Sequence, residues 1–512
     1  MGFSAVDYVV LLLYLVGITI FGMMFRRTQR TVKDYFIGAK KTHWVVISLS
    51  IVATETSTIT LIGVPAIAYT IYEKPEQGGN FTYLQVVLGY IVARFVISLL
   101  FIPAYFRGDL LTAYELLKRR FGPQTKNFAA SLFLCMRAVG EGIRIFSASL
   151  VLSAVLGASF PGLPYLWLWS IIIVGLLTLV YTFEGGIAAV IWTDLIQLVI
   201  YIGGSLLAAY ELLQLVPGGW GGIVAAGHAA AGAAGQSADK FRLLSFSWDY
   251  SVPFTFWAGL IGGTFLTMAS HGTDQLLVQR LLTCRDQRDS QKALVLSGFV
   301  VFFQFALFLT IGVMLYAFYE SQHLRGSLPL TSNDEIFPFF IVRQLPHGIA
   351  GLVIAAIFAA AMSNLSGSLN SLASSTLIDF YKPLVNPHAE DERLLRLSRW
   401  FTVAWGVVLI AIAILSKGFT KSVLNTALSI ASLPYGAMLG AFLLGVLTRR
   451  ANQRGVMTGM AVSLVCMLCV WYFTALAWTW FVLAGTSVCV AVGYAVSALA
   501  GGRAAEPVAA GS

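Results

Sequence analysis

Charge is scarce in this sequence. Lys, Arg, Asp and Glu together make up 11% of the 512 residues, less than half of the roughly 25% found in an ordinary soluble domain. With 58% of the chain hydrophobic, there is too little polar surface to coat a water-soluble globule, and a soluble fold is excluded. Cysteine is sparse as well. The five present, Cys135, Cys284, Cys466, Cys469 and Cys489, lie in or beside apolar runs, which excludes a disulfide-stapled scaffold. Cys466 and Cys469 share a helix face, but with no second cluster they read as packing residues. There are only six histidines, most of them in loops or at run edges. No His/Asp/Glu metal cluster, nucleophile elbow or phosphate-cradling glycine loop appears, so the chain is not expected to be an enzyme. A long polar stretch is missing too, and with it any soluble domain. The first apolar run has no basic segment before it and no small-residue cleavage site, so it is expected to stay in the membrane rather than be cleaved.

What fills the chain is apolar runs of about 20 residues, each long enough to cross a bilayer as a helix. They fall at 6–25, 44–71, 82–106, 127–157, 163–183, 186–210, 253–272, 293–318, 347–378, 399–416, 422–447, 456–475 and 477–499. The expected fold class is an all-α integral membrane protein with about 13 transmembrane helices. Lys and Arg then test the count, because short cytoplasmic loops are enriched in them. Loop 26–43 carries Arg26, Arg27, Arg30, Lys33, Lys40 and Lys41, and loop 107–126 carries Arg107, Lys118, Arg119, Arg120 and Lys126. Further basic groups follow the seventh, ninth and eleventh runs, while the exits at 72–81, 211–252 and 319–346 are near neutral. This alternation puts the N-terminus outside and the C-terminus in the cytoplasm of a multi-pass protein, with a bacterial inner membrane the expected setting. The net charge of +9 then faces anionic lipid and calls for no nucleic acid. No obligatory protein partner is evident.

Between the runs, 211–252 reads as an extracellular connection with one short helix. "LLTAYELLKRRFG" reads as an interfacial amphipathic helix ending at Gly122-Pro123.

Polarity enters the membrane unevenly. The second run holds "ATETSTITLIGVP" and the seventh holds Gly259, Gly262 and Gly263. These breaker signals lie five runs apart, the spacing of two discontinuous helices in an inverted repeat. Packing glycines and backbone-bonded serines would produce the same pattern. The ninth run contains "AAAMSNLSGSLNSLASS". On a helix, Ser363, Ser366, Asn370 and Ser374 form one row, and Asn364, Ser368, Ser371 and Ser375 an adjoining one. Such a face of neutral oxygens suits reversible binding of a hard cation such as Na⁺. Asp194, an intramembrane carboxylate, is a second candidate, with pairing to a nearby arginine as the alternative. In the fourth run Arg137, Glu141 and Arg144 fall near one face, so one positive charge is left over to hold a carboxylate. Arg94 in the third run is a further cation of this kind. Ser57 and Thr60, at the start of an expected half-helix, favour an anionic solute in the same way. A purely structural charge network is the alternative.

Four stretches, "AVIWTDLIQ" after "EGGIA", "HGTDQLLVQR", "AAAMSNLSGSLNSLASSTLIDFYKP" and "LPYGAMLGAFLLGVLTRRANQRGVMTG", together resemble the sodium:solute symporter family, in order from about Asp34 to Gly459. The resemblance implies a LeuT-type 5+5 inverted repeat with broken helices. Its implied layout is an additional N-terminal transmembrane helix and cytoplasmic loop at 1–30, a ten-helix transport core at 31–450, two further transmembrane helices at 451–500 and a disordered tail at 501–512. It implies a Na⁺ site made by carbonyls of Ala53, Thr56 and Ala360 with side chains of Ser363 and Asn364. Asn364 departs from the Ser or Thr usual there. It implies a second cation site at Asp194, Ser363 and Ser366, incomplete because Gly367 stands where some members have Ser. Asp274, Gln275 and Arg280 are expected to cap and anchor an intracellular helix. The function expected is Na⁺-driven uptake of a small organic solute, leaning to a monocarboxylate or acidic sugar held by Ser57, Thr60, Arg137, Arg144 and Glu141. A proton-coupled carrier of the same fold, and a transporter-like solute sensor, remain open as alternatives.

Overall fold

The computed structural model describes residues 4–38, 40–108, 110–159, 163–230, 238–325, 327–328, 330, 332–418, 429–430 and 432–500. Among these there is no strand. The helices are α1 (Ala5–Met23), α2 (Val32–Ile37), α3 (Trp44–Glu55), α4 (Thr58–Tyr69), α5 (Leu84–Phe106), α6 (Tyr114–Phe121), α7 (Pro123–Ser159), α8 (Leu166–Leu215) and α9 (Gly219–His228). They continue as α10 (Gly263–Gly272), α11 (Gln275–Leu282), α12 (Gln287–Ser321), α13 (Ile336–Gln344), α14 (Ile349–Ser375) and α15 (Lys382–Leu384). The last four are α16 (Asp391–Leu415), α17 (Pro434–Leu447), α18 (Gln453–Phe473) and α19 (Phe481–Leu499).

Eight helices among the described residues are long and apolar enough to cross a bilayer, and the bent pair α3–α4 makes a ninth. The helix α8 carries two of the expected runs. Its 50 residues, at about 1.5 Å each, far exceed one crossing of roughly 30 Å. Its arms meet at Gly186, whose φ of 53° and ψ of −151° are not helical. A side chain there would also meet the Tyr35 carbonyl oxygen at 2.7 Å, so only glycine admits both the turn and the contact. The runs expected at 127–157, 253–272 and 422–447 are represented by shorter or more polar helices, α7, α10 and α17. Residues 422–428 and the tail 501–512 lie outside the described residues. The amphipathic helix expected before the fourth run is α6, and it ends at Gly122 with φ +100°.

The two expected breaks turn out differently. Between α3 and α4 the chain bends by 66°. Thr56 and Ser57 are extended there, and the Ser57 hydroxyl accepts from the Thr60 amide as N-cap of α4. In the seventh run the glycines instead form a π-helical turn, Ala258–Gly262, that runs straight on into α10. This helix is widened rather than broken, and its glycines allow close packing. A Cβ on Gly259 would lie 2.5 Å from the Gln85 carbonyl carbon of α5, and one on Gly89 would lie 2.3 Å from the Gly259 oxygen. Backbone-to-backbone contact of this kind holds helices together where no hydrophobic drive exists between them. Gly259→Ala is therefore expected to cost about 1–3 kcal/mol through overpacking, read as a lower midpoint of thermal unfolding in detergent. An unchanged midpoint would show that α5 and α10 can part freely.

At the centre stands α14. Every residue from Val353 to Ser375 is buried, so its polar face points into protein and not into lipid.

Candidate functional site

The break supplies polar backbone at membrane depth, and its side chains meet part of that need locally. Thr54 Oγ1 donates to the Ser50 carbonyl at 2.9 Å and Thr56 Oγ1 to the Val52 carbonyl at 2.9 Å. These two bonds add to carbonyls that α3 already satisfies, the Val52 oxygen also taking the Thr56 amide. Of the groups the break frees, the Thr60 amide is met by Ser57 Oγ at 3.2 Å and the Thr56 carbonyl from α14. From α14, the Asn364 side-chain amide donates to the Thr56 carbonyl at 3.1 Å, while the Thr58 hydroxyl reaches back to the Ile357 carbonyl at 3.3 Å. On the other side Gln304 of α12 donates to Thr56 Oγ1 at 2.6 Å.

The structure thus brings Thr56 and Asn364 into contact, with Ala53 on the last turn of α3, Ser363 next to Asn364 in the chain and Ala360 one turn before it on α14. All five are buried. The donors are neutral hard oxygens, the chemistry Na⁺ accepts. Asn364 presents its NH₂ group to Thr56, and a half-turn of that amide would present its oxygen instead.

Asp194 lies beside this set. Its carboxylate accepts from Ser363 at 2.6 Å, Ser50 at 2.6 Å, Thr54 at 3.2 Å and Arg280 at 3.0 Å. Both members of the Arg280–Asp194 pair are fully buried. Arg280 also donates to Ser50 Oγ and the Leu276 carbonyl. Ser366 turns its hydroxyl back onto the Ser363 carbonyl at 3.0 Å. A Cβ on Gly367 would stand 2.8 Å from Arg280 Nη2. The absent side chain at 367 is what leaves room for the guanidinium.

Just beyond the break is a cavity lined by Ser57, Thr58, Ile59, Glu141, Arg144, Ile145, Ala361 and Asn364, about 240 Å³ including its open mouth. The enclosed part of that space is far smaller than most ligand pockets, so a solute requires α7 and α14 to part. Arg144 is 37% exposed and 3.6 Å from Glu141. Glu141, buried, also accepts from Ser368 at 3.1 Å. Thr60 hydrogen-bonds with Ser57 at 3.2 Å but does not line the cavity. Arg137 does not reach it either. Although Arg137 and Glu141 are four residues apart, Arg137 is buried against Asp274 and Tyr435 instead, tying α7 to α11 and α17. The surplus positive charge expected on α7 is therefore absent, since Asp274 answers Arg137 and Glu141 answers Arg144; Arg144 is the one of the two that faces the cavity. Asp274 caps α11 by accepting from the Leu276 amide, as expected. Arg280 goes further than anchoring, because it is the partner of Asp194.

One cluster escapes a reading of the sequence alone. Glu55, the last residue of α3, accepts from Arg94 at 2.5 Å and lies 3.3 Å from His271, binding the break to α5 and α10. The signal was present, since a carboxylate within an apolar run merits the same attention as Asp194. Gln304 gave no such signal. No group of three or more His, Cys, Asp or Glu side chains converges on a metal position among the described residues.

Comparison with known proteins adds to this geometry. Residues 35–463 match the sequence model of the sodium:solute symporter family. The sodium/sialic acid symporter NanT of Aliivibrio fischeri is 31% identical over 502 residues, covering 96% of this chain and 93% of that protein. The sodium-coupled monocarboxylate transporter 2 of Mus musculus is 26% identical over 468 residues, 90% of this chain and 71% of that one. A solved structure of a Na⁺-coupled sialic acid symporter, described as substrate-bound and outward-open with a novel Na⁺ site, superposes with a TM-score of 0.87 at 28% identity. The match covers 98% of this chain and 99% of that one.

Proposed function

Because this chain belongs to the sodium:solute symporter family, it is a multi-pass Na⁺-coupled transporter and not an enzyme, and we propose that it imports a small organic anion. The observation that carries this reading is the double role of Asn364. It bonds to Thr56 across the break and also lines the cavity beside Ser57 and Arg144. In this proposal Na⁺ takes the carbonyls of Ala53, Thr56 and Ala360, the Ser363 hydroxyl and, after the amide turns, the Asn364 oxygen. Ion binding then draws α14 onto the break and fixes the N-terminus of α4 under the solute. Coupling requires only that each ligand orders what the other must contact. The solute carboxylate is held by Arg144 and favoured by the α4 N-terminus. A monocarboxylate or an acidic sugar carries the required group.

A second Na⁺ has no role in this reading. The charge of Asp194 is answered by Arg280, so the slope of uptake against Na⁺ concentration is expected to have a Hill value of about one. The transport core is taken as 31–450 from the family resemblance, the N-terminus outside and the C-terminus in the cytoplasm from the basic loops, and a bacterial inner membrane from the bacterial relative NanT.

The test is uptake of labelled monocarboxylates, sialic acid, neutral sugars and amino acids into proteoliposomes, with and without an inward Na⁺ gradient. One organic acid should accumulate only with Na⁺. Ser363→Ala should raise the half-saturating Na⁺ concentration by about tenfold, the loss of one ligand worth roughly 1.4 kcal/mol. Accumulation that ignored Na⁺ and followed a proton gradient would overturn the ion assignment.

A further inference from the structure

The four carbonyls at the C-terminus of a helix have no partner within it. At α4, a half-helix ending in the membrane region, each of them is answered. Thr70 N donates to the Ala66 oxygen and Gly79 N to the Ile67 oxygen, at 3.0 and 2.9 Å. The rest fall to one side chain from far along the sequence. Lys240 Nζ donates to the carbonyls of Ala68, Tyr69 and Thr70 at 2.9, 3.0 and 2.8 Å. It also sits 4.5 Å from the centroid of the Tyr316 ring on α12. The side chain is fully buried, and among the described residues no carboxylate pairs with it. Burial pulls the pKa of this lysine down to about 7, but three carbonyl acceptors match the three N–H groups of the ammonium form, which the negative end of the helix dipole and the π cloud also favour, making it a tethered cation.

Its loop, between α9 and the π-helical turn, is laced to the chain that leaves α4. Phe81 N donates to the Arg242 carbonyl and Phe254 N to the Glu76 carbonyl. Arg242 and Ser245 both reach Glu76, and Lys74 pairs with Asp249 at 2.8 Å, holding that carboxyl well below the usual carboxylate range. Within this strap, Lys240 is the contact that seizes α4 itself and bridges it to α12. The opposite end of α4 is Ser57, Thr58 and Ile59, which wall the solute cavity. The half-helix is 12 residues long and continuous through Pro65, a rod of about 18 Å. Tilting one end of such a rod moves the other.

We propose that Lys240 is a positioning residue for transport, a tethered cation that fastens the loop between α9 and α10 to the outer end of α4 and so sets the pose of the cavity wall at its inner end. The inference rests on the reading that this cavity takes the solute. The loop is thereby part of the transport machinery.

Two variants and two readouts test it. Lys240→Met removes the charge and keeps the stem, while Lys240→Arg keeps charge and donors. In proteoliposomes Lys240→Met should raise the solute KM about tenfold with kcat changed less than about twofold, and Lys240→Arg should stay within about threefold of the parent. Amide hydrogen exchange on the purified protein, which needs no solute, should speed up at Thr70 and Gly79 by about tenfold or more in Lys240→Met and much less in Lys240→Arg. Faster exchange with an unchanged KM would overturn the positioning role and leave a purely structural cap. Unchanged exchange would overturn the cap itself. If no tested solute is transported by the parent, the exchange result still decides the cap, so failure of the functional reading is distinguishable. If Lys240→Met does not fold, Lys240→Arg carries the test: a KM raised tenfold or more with normal exchange would overturn the proposal.

Discussion

Arg280→Gln is expected to destabilise the protein by about 3–5 kcal/mol, since it leaves Asp194 as an uncompensated charge in the bundle interior. Both side chains are fully buried at 3.0 Å, and Ser50, Thr54 and Ser363 converge on the same carboxylate. The three hydroxyls can bond to the anion but cannot neutralise it. Asp194→Asn should be comparably damaging, because it strands the guanidinium. The double variant should recover much of the loss, since a neutral amide pair carries no buried net charge. Thermal unfolding of the purified protein in detergent, with and without Na⁺, would read all three. Strong rescue of Arg280→Gln by Na⁺ alone would mean that a free cation takes the guanidinium's place. Additive single losses with no recovery in the double variant would sink the pairing. Gly367→Ser acts on the same point from the other helix, since its Cβ would lie 2.8 Å from Arg280 Nη2.

Arg144→Gln is expected to raise the solute KM by roughly 10- to 150-fold, the equivalent of about 1.5–3 kcal/mol for a lost hydrogen bond to a charged group. Arg144→Lys should recover part of this, because it keeps the charge but not the two-pronged fit to a carboxylate. The Na⁺ dependence should be retained in both, since Arg144 is not among the proposed ion ligands. Glu141→Gln should act in the opposite direction. It removes the carboxylate 3.6 Å from Arg144 and frees the guanidinium for the solute. If Arg144→Gln leaves KM unchanged for the transported solute, the anion reading fails and a neutral solute takes its place.

Much of this was legible in the chain because hydropathy is local. A run of apolar residues defines a span whatever lies around it, and "TETST" marks a discontinuity because its hydroxyls can satisfy backbone groups that an unwound helix exposes. The polar rows of α14 followed from helical periodicity alone. Glycines were read less well. Those at 259, 262 and 263 signalled close approach of α5, α10 and the Thr479 backbone, not a second break, since the sequence carries the same letters for both uses. The charges on α7 were read in part. Spacing placed Arg137, Glu141 and Arg144 near one face, but spacing cannot say which neighbouring helix offers Asp274 to Arg137.

The sequence by itself determined that the chain is a membrane helical bundle, where its chief discontinuity lies, which helix carries the polar face, and the family to which it belongs. The first three depend on composition or order along a single stretch of chain, and the family on four such stretches read in order. Only the tertiary structure decided which charges answer one another. Arg280 meets Asp194 across 86 residues of sequence, Arg137 meets Asp274 across 137, and Lys240 reaches Ala68 across 172. Coulomb attraction and hydrogen bonding act over a few ångströms of space, and which helices stand that close is settled by packing of whole faces, not by any one segment.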